Sequence, residues 1–171
     1  MRKMTGVGLV GLLFVAGVIG AMAGCRANRV AQELRLLTGA ETRVVWCRQV
    51  EGEGHDALGT QLVLMGLSTA DERGERQLLG RKGNYWKPMI SSKGDRVVFT
   101  DFPNATIRVV HWDGSGLRDV ARGYALHVWM DPATTQEWVY AVEKTDPENN
   151  YAGKPLVRFL LDGPLRREVV W

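Results

Sequence analysis

The residues of this chain able to do chemistry are three histidines, two cysteines and scattered serines and carboxylates, and their spacing decides what they can do. His55, His111 and His127 stand far apart, with no Cys or acidic residue at the short intervals from which a zinc site draws its ligands. Ser91-Ser92 and Ser115 lack the Gly-x-Ser-x-Gly frame of a nucleophile elbow, and Gly114-Ser115-Gly116 reads instead as a turn. Asp131-Pro132 and Asp146-Pro147 are turn initiators. His55-Asp56 follows the Gly-rich stretch Glu51-Gly52-Glu53-Gly54, which reads as a solvated connection. The expectation is a protein without catalytic residues, metal or cofactor.

Cys25 is the reactive residue with a setting of its own. Arg2 and Lys3 make a positive start, residues 4–24 carry no charge, and the run closes on Ala21-Met22-Ala23-Gly24-Cys25. That is the pattern of an export segment. Cleavage after an Ala-x-Ala triplet is one outcome. The other is the bacterial lipoprotein route, because Ala23-Gly24-Cys25 resembles a lipobox with Met22 where Leu is commonest. An uncleaved anchor is a third, since about 20 apolar residues span a bilayer core. Lipidation of Cys25 is the favoured reading, and all three put residues 25–171 outside the cytoplasm, in the cell envelope on its periplasmic or extracellular side. Cys47 then stays a free thiol, unless it pairs with Cys25.

Setting Arg2 and Lys3 aside leaves 20 basic against 19 acidic residues, with no basic stripe, so nucleic acid is not an expected partner. The Asn104-Ala105-Thr106 sequon matters only in a glycosylating pathway, which a bacterial-type signal argues against. Residues 25–41 read as a tether. Within it Val30, Leu34 and Leu37 share a helical face, and Thr38-Gly39 is a stop signal.

The elements that must hold any site come after residue 41. Arg43-Val44-Val45-Trp46, Arg96-Val97-Val98-Phe99 and Glu137-Trp138-Val139-Tyr140 are three copies of one short apolar anchor, spaced by 53 and 41 residues. Each precedes a second apolar run, at residues 61–67, 107–112 and 156–161, then a turn and a third strand. Periods of this size mark repeated supersecondary units. Lys93-Gly94-Asp95, Asp113-Gly114-Ser115-Gly116 and Asp162-Gly163-Pro164 supply hairpin turns.

Residues Pro88 to Val120 resemble the WD-like repeat of TolB-type β-propellers. There, a Pro and a Ser precede a Gly-Asp turn, an aromatic-ended strand, a second strand and an Asp-Gly turn. Asp131 to Trp171 follows the pattern more weakly. Ser92-Lys93-Gly94 departs from the family's usual Pro-Asp-Gly, and the first copy has a longer connection at Glu51 to Thr60. The resemblance implies an all-β fold over residues 42–171, with three antiparallel meander sheets as blades of a partial or open propeller. Such a shortened array implies a membrane-anchored, non-enzymatic scaffold for a protein or glycan. The alternative is an accessory or remnant domain of a larger exported enzyme whose catalytic part is absent. Propellers take ligands on loops at one face, which nominates Tyr85, Trp86, His127 and Trp129 as a contact surface, with Tyr85-Trp86 read as a loop before the Pro88 strand. Blade packing is the competing use of these aromatics. Val169, Val170 and Trp171 end the chain in an apolar strand, so self-association through that C-terminal edge is expected.

Overall fold

The computed structural model describes residues 29–50, 61–71, 73–102, 104–143 and 154–171. Cys25, His55 and Asp146-Pro147 lie outside the described residues, as does the export segment. By contact the chain divides into two units, one holding residues up to Thr42 with Ser68–Glu75, the other Arg43–Leu67 with Arg76–Trp171.

In the first unit residues 29–38 are helical. The Thr38-Gly39 stop is realised through an αL glycine at φ 66° whose amide donates to Arg35 O at 2.9 Å. Of the face its apolar spacing predicts, Leu34 is half-buried and the other two residues are exposed. Ala31 is buried, whereas Val30 is exposed and Leu37 is 84% exposed. No helix among the described residues is long and apolar enough to cross a membrane.

Ten strands follow among the described residues: β1 (Arg43–Gln49), β2 (Leu62–Ser68), β3 (Arg76–Gln77), β4 (Asn84–Ile90), β5 (Arg96–Phe102), β6 (Thr106–His111), β7 (Arg118–Met130), β8 (Glu137–Glu143), β9 (Leu156–Leu160) and β10 (Arg167–Val169). The three anchors begin β1, β5 and β8, and the second apolar runs form β2, β6 and β9. The protein is all-β in these residues, with strands paired antiparallel. Instead of three separate meanders there are two sheets, β1-β2-β3 and a seven-stranded strip from β10 in sequence order to β4, neither of them closed.

The physical reason is β7. Its first half pairs with β6 through residues 118–122 and its second half with β8 through residues 123–130, so one strand serves both neighbours. Gly123 sits at the change of partner with φ 144°, and its amide donates to Ala105 O at 2.6 Å. A Cβ there would meet Val142 O at 2.4 Å and Glu143 Cα at 3.0 Å. Gly123→Ala is therefore expected to cost roughly 2 kcal/mol, since backbone strain and a contact with main chain add. The check is a thermal melt against Gly80→Ala, whose Cβ would meet nothing within 4 Å; equal melting temperatures would show that β7 relaxes around the new methyl.

The strip folds over on itself through its core. Val98, Ile107, Val109 and Val120 from β5, β6 and β7 share one apolar cluster with Val139, Ala141, Val157 and Phe159 from β8 and β9. Successive strand residues point to opposite faces, and the neighbours of Val98 turn the other way: Val97 and Phe99 join Val110 and Trp112 against Leu64 and Leu78 of the β1-β2-β3 side. β5 is thus covered on both faces, which is why its sequence is apolar at consecutive positions. Guanidinium groups of Arg43 and Arg76 lie 5.2 and 5.3 Å from the Trp112 ring, completing that contact with cation–π attraction.

Candidate functional site

The second half of β7, paired along β8, brings Tyr124, Leu126, His127 and Trp129 to a surface shared with residues of β4, β5, β8 and β9. Two adjoining depressions result. One, of about 410 Å3, is lined by Asn84, Trp86, Phe102, Tyr124, Leu126 and Val142. The other, of about 400 Å3, is lined by Leu126, His127, Trp129, Tyr140 and Leu156, so that Leu126 forms a wall of both.

The aromatic rings hold one another edge-on. Trp86 meets Tyr124 at 5.7 Å between centroids and 83° between planes, and Trp129 meets Tyr140 at 6.4 Å and 73°. These are the quadrupole-favoured geometries, worth about 1 kcal/mol beyond burial. Trp86 remains 46% exposed and Trp129 37% exposed, so each presents ring surface outward. Three of the four nominated contact residues, Trp86, His127 and Trp129, come to this surface.

Tyr85 does not. Tyr85-Trp86 is part of β4 rather than a loop, paired with Asp101 and Thr100. Alternation sends the Tyr85 ring inward, where it is 1% exposed and stands edge-on to Phe99 at 5.2 Å. Its hydroxyl donates to Arg81 O at 2.7 Å, and burial pushes its pKa up. It is a core residue.

A bulge interrupts β4 between Trp86 and Met89. Pro88 has no N–H to give the ladder, and such interruptions are where proline is tolerated within a sheet. Lys87 takes a left-handed conformation, φ 52°, and its Nζ donates to Leu126 O at 2.7 Å. The bulge thus sets an exposed ammonium beside the wall shared by the two depressions.

The remaining candidate groups are structural. Asp113 Oδ1 accepts from Ser115 N at 2.9 Å and from its hydroxyl at 2.6 Å, closing the β6–β7 turn. Asp131 Oδ1 accepts from Ala133 N at 2.9 Å and starts the turn before β8. The Cys47 thiol donates to Tyr85 O at 2.7 Å, and burial raises its pKa to about 11, so at neutral pH it is not a thiolate nucleophile. His111 ends β6 on the exposed side. Among the described residues no group of three His, Cys, Asp or Glu is placed to hold a metal ion.

A polar cluster unforeseen from the sequence ties the two halves of the strip together. Glu137, wholly buried, accepts from Arg96 Nη2 and from Lys93 N at 2.7 Å. Arg96 also reaches Asp162 Oδ1 at 2.8 Å and Leu161 O at 3.2 Å, and Lys93 Nζ reaches Asp162 Oδ2 at 3.2 Å. Partial burial opposes ionisation of Asp162, but hydrogen bonds and charge from Arg96 and Lys93 outweigh it and hold its carboxyl below the usual range. Arg96 and Glu137 are the first residues of the second and third anchors. That opposite charge at equivalent repeat positions was the signal available in the sequence.

Compared with protein-family models, curated proteins and solved structures, the chain matches none.

Proposed function

We propose that this protein is an exported, membrane-anchored, non-enzymatic binding scaffold, an open array of propeller-like sheets similar to part of a TolB-type propeller, presenting one ligand surface in the cell envelope. The observation that carries the binding role is the pair of exposed tryptophans, Trp86 and Trp129, at adjoining apolar depressions on a hydrogen-bonded sheet. Large rings held by neighbouring rings lose little side-chain entropy on contact, which is why such residues anchor interfaces. The propeller-like reading draws on the apolar clusters on both faces of β5 and on the passage of β7 from one set of partners to the next.

The test is retention of envelope proteins and cell-wall glycans on immobilised full-length protein, against a Trp86→Ala, Trp129→Ala double variant with an unchanged melting curve. Material held by the parent and lost by the variant supports the reading; identical retention by both would sink it.

Anchoring has its own check. Processing at Cys25 predicts an intact mass corresponding to residues 25–171 plus acyl groups. Cys25→Ala should then lose both the acyl mass and the cleavage at residue 25, leaving the uncharged segment 4–24 attached as an unprocessed membrane anchor. A mature mass beginning at any other residue, or acyl mass retained by the Cys25→Ala variant, would remove the lipoprotein assignment.

A further inference from the structure

We propose that the depression beside Trp86 takes the apolar chain of a monoanionic amphiphile, a medium-chain carboxylate in its simplest form, with Lys87 holding the carboxylate at the rim. The proposal rests on the binding-scaffold reading and names a ligand class for its surface. Its walls come first. Trp86, Phe102, Leu126 and Val142 line it with ring and aliphatic surface, and Asn84 and Tyr124 bring the polar atoms. Sugar hydroxyls moved from water onto such walls would give up hydrogen bonds with few to replace them, which disfavours a glycan. A hydrocarbon chain loses nothing by the transfer, and about 410 Å3 lies within the size range of small-ligand sites.

The charge comes second. Lys87 Nζ gives one of its three protons to Leu126 O at 2.7 Å, and Leu126 is itself a wall of the depression. Two protons of this exposed ammonium remain for an anion beside the Leu126 wall. The backbone at this residue is strained, as it is in the turns at Ala105 and Thr135. Lys87 holds φ 52° without being glycine, at a bulge that turns its side chain out of the ladder's alternation. Glycine would take that conformation at no steric cost. Strained positions of this kind gather at ligand sites, where the side chain is needed despite the backbone.

The experiment uses the full chain in zwitterionic nanodiscs, titrated with 13C-carboxyl decanoate and, in parallel, with decanol, with empty nanodiscs as the partition background. Decanoate should bind saturably, about tenfold tighter than decanol, the size expected of one charge-assisted hydrogen bond. Lys87→Gly should abolish that preference while the protein melts at or above the parent temperature, a combination that loss of fold would not produce. Trp86→Ala should weaken both ligands alike. Equal affinity for decanoate and decanol, a preference surviving Lys87→Gly, or decanoate uptake no greater than that of empty nanodiscs would each overturn the proposal. If any of these occurs while the Trp86, Trp129 double variant still loses retained envelope material, the ligand class falls and the scaffold reading stands.

Discussion

Val98→Asp is expected to abolish the cooperative melting transition. Val98 is wholly buried in the cluster that joins the two halves of the seven-stranded strip, among Ile107, Val109, Val139 and Phe159. The side chains around it in that cluster are apolar, so the new carboxylate would be either buried as an unpaired charge or buried protonated and short of hydrogen bonds. Either state costs several kcal/mol, comparable with the roughly 5–15 kcal/mol that hold a small domain together. Near-ultraviolet circular dichroism is the readout, because the buried Trp112 and Trp138 report packing rather than strand content. A parent-like spectrum and melting curve would mean that Val98 does not face the folded strip, and the alignment of the anchors would fail with it.

Glu137→Ala should lower stability by about 3 kcal/mol, because Arg96 loses its buried partner and keeps only the more exposed Asp162 and Asp95. Lys93 N loses its acceptor in the same step. Glu137→Gln keeps an acceptor oxygen for that amide and should fall between the two. The pH profile separates charge from packing. Asp162 and Asp95 both have carboxyls held below their ordinary values in the folded protein, in each case because hydrogen bonds and the Arg96 charge outweigh partial burial. Their contribution is fully present above the unfolded value near 3.9 and is lost as pH falls through the lower folded values. Urea midpoints at pH 7 and pH 3 give the test. The parent should lose stability toward pH 3, and the acid loss should be steeper in Glu137→Ala, where Asp162 and Asp95 are the carboxylates left around Arg96. Unchanged midpoints at pH 7 would show that the pair contributes nothing net.

The strands most legible in the sequence were those with a local signature. The anchors Arg96-Val97-Val98-Phe99 and Glu137-Trp138-Val139-Tyr140 combine β-branched and aromatic residues, and Lys93-Gly94-Asp95 and Asp113-Gly114 mark the turns beside them. β7 was half legible. Leu117 to Val120 reads as a strand, but nothing local announces its continuation through Gly123, and what carries it onward is the backbone of β8, a partner some twenty residues away. Tyr85 and Trp86 illustrate the limit in the site. Both are large aromatics, yet adjacent strand residues face opposite ways, so the pair could not both serve a surface. Phe102, Leu126 and Val142 had no individual mark, since they are ordinary strand residues brought together by pairing alone. Lys87 looked like a lysine before a proline; its meaning lies in a bulge that no local pattern announces.

The partner change inside β7 also governs how a chain of this kind can grow or shrink. The repeat as written in the sequence runs from anchor to anchor, and its boundaries fall in the turns at Ser91–Arg96 and Asp131–Gln136. The hydrogen-bonded groupings instead divide at Gly123, in the middle of a strand. The genetic period and the structural one are therefore out of phase by half a strand. Removing the stretch from one anchor to the next takes away β5, β6 and β7 whole and brings β4 up to β8, so the meander keeps its antiparallel order with one fewer turn of the pattern. A cut at Gly123 orphans a row of backbone amides on both sides. Length variation among such chains should accordingly come in anchor-to-anchor steps, each step carrying its own strand across to the next.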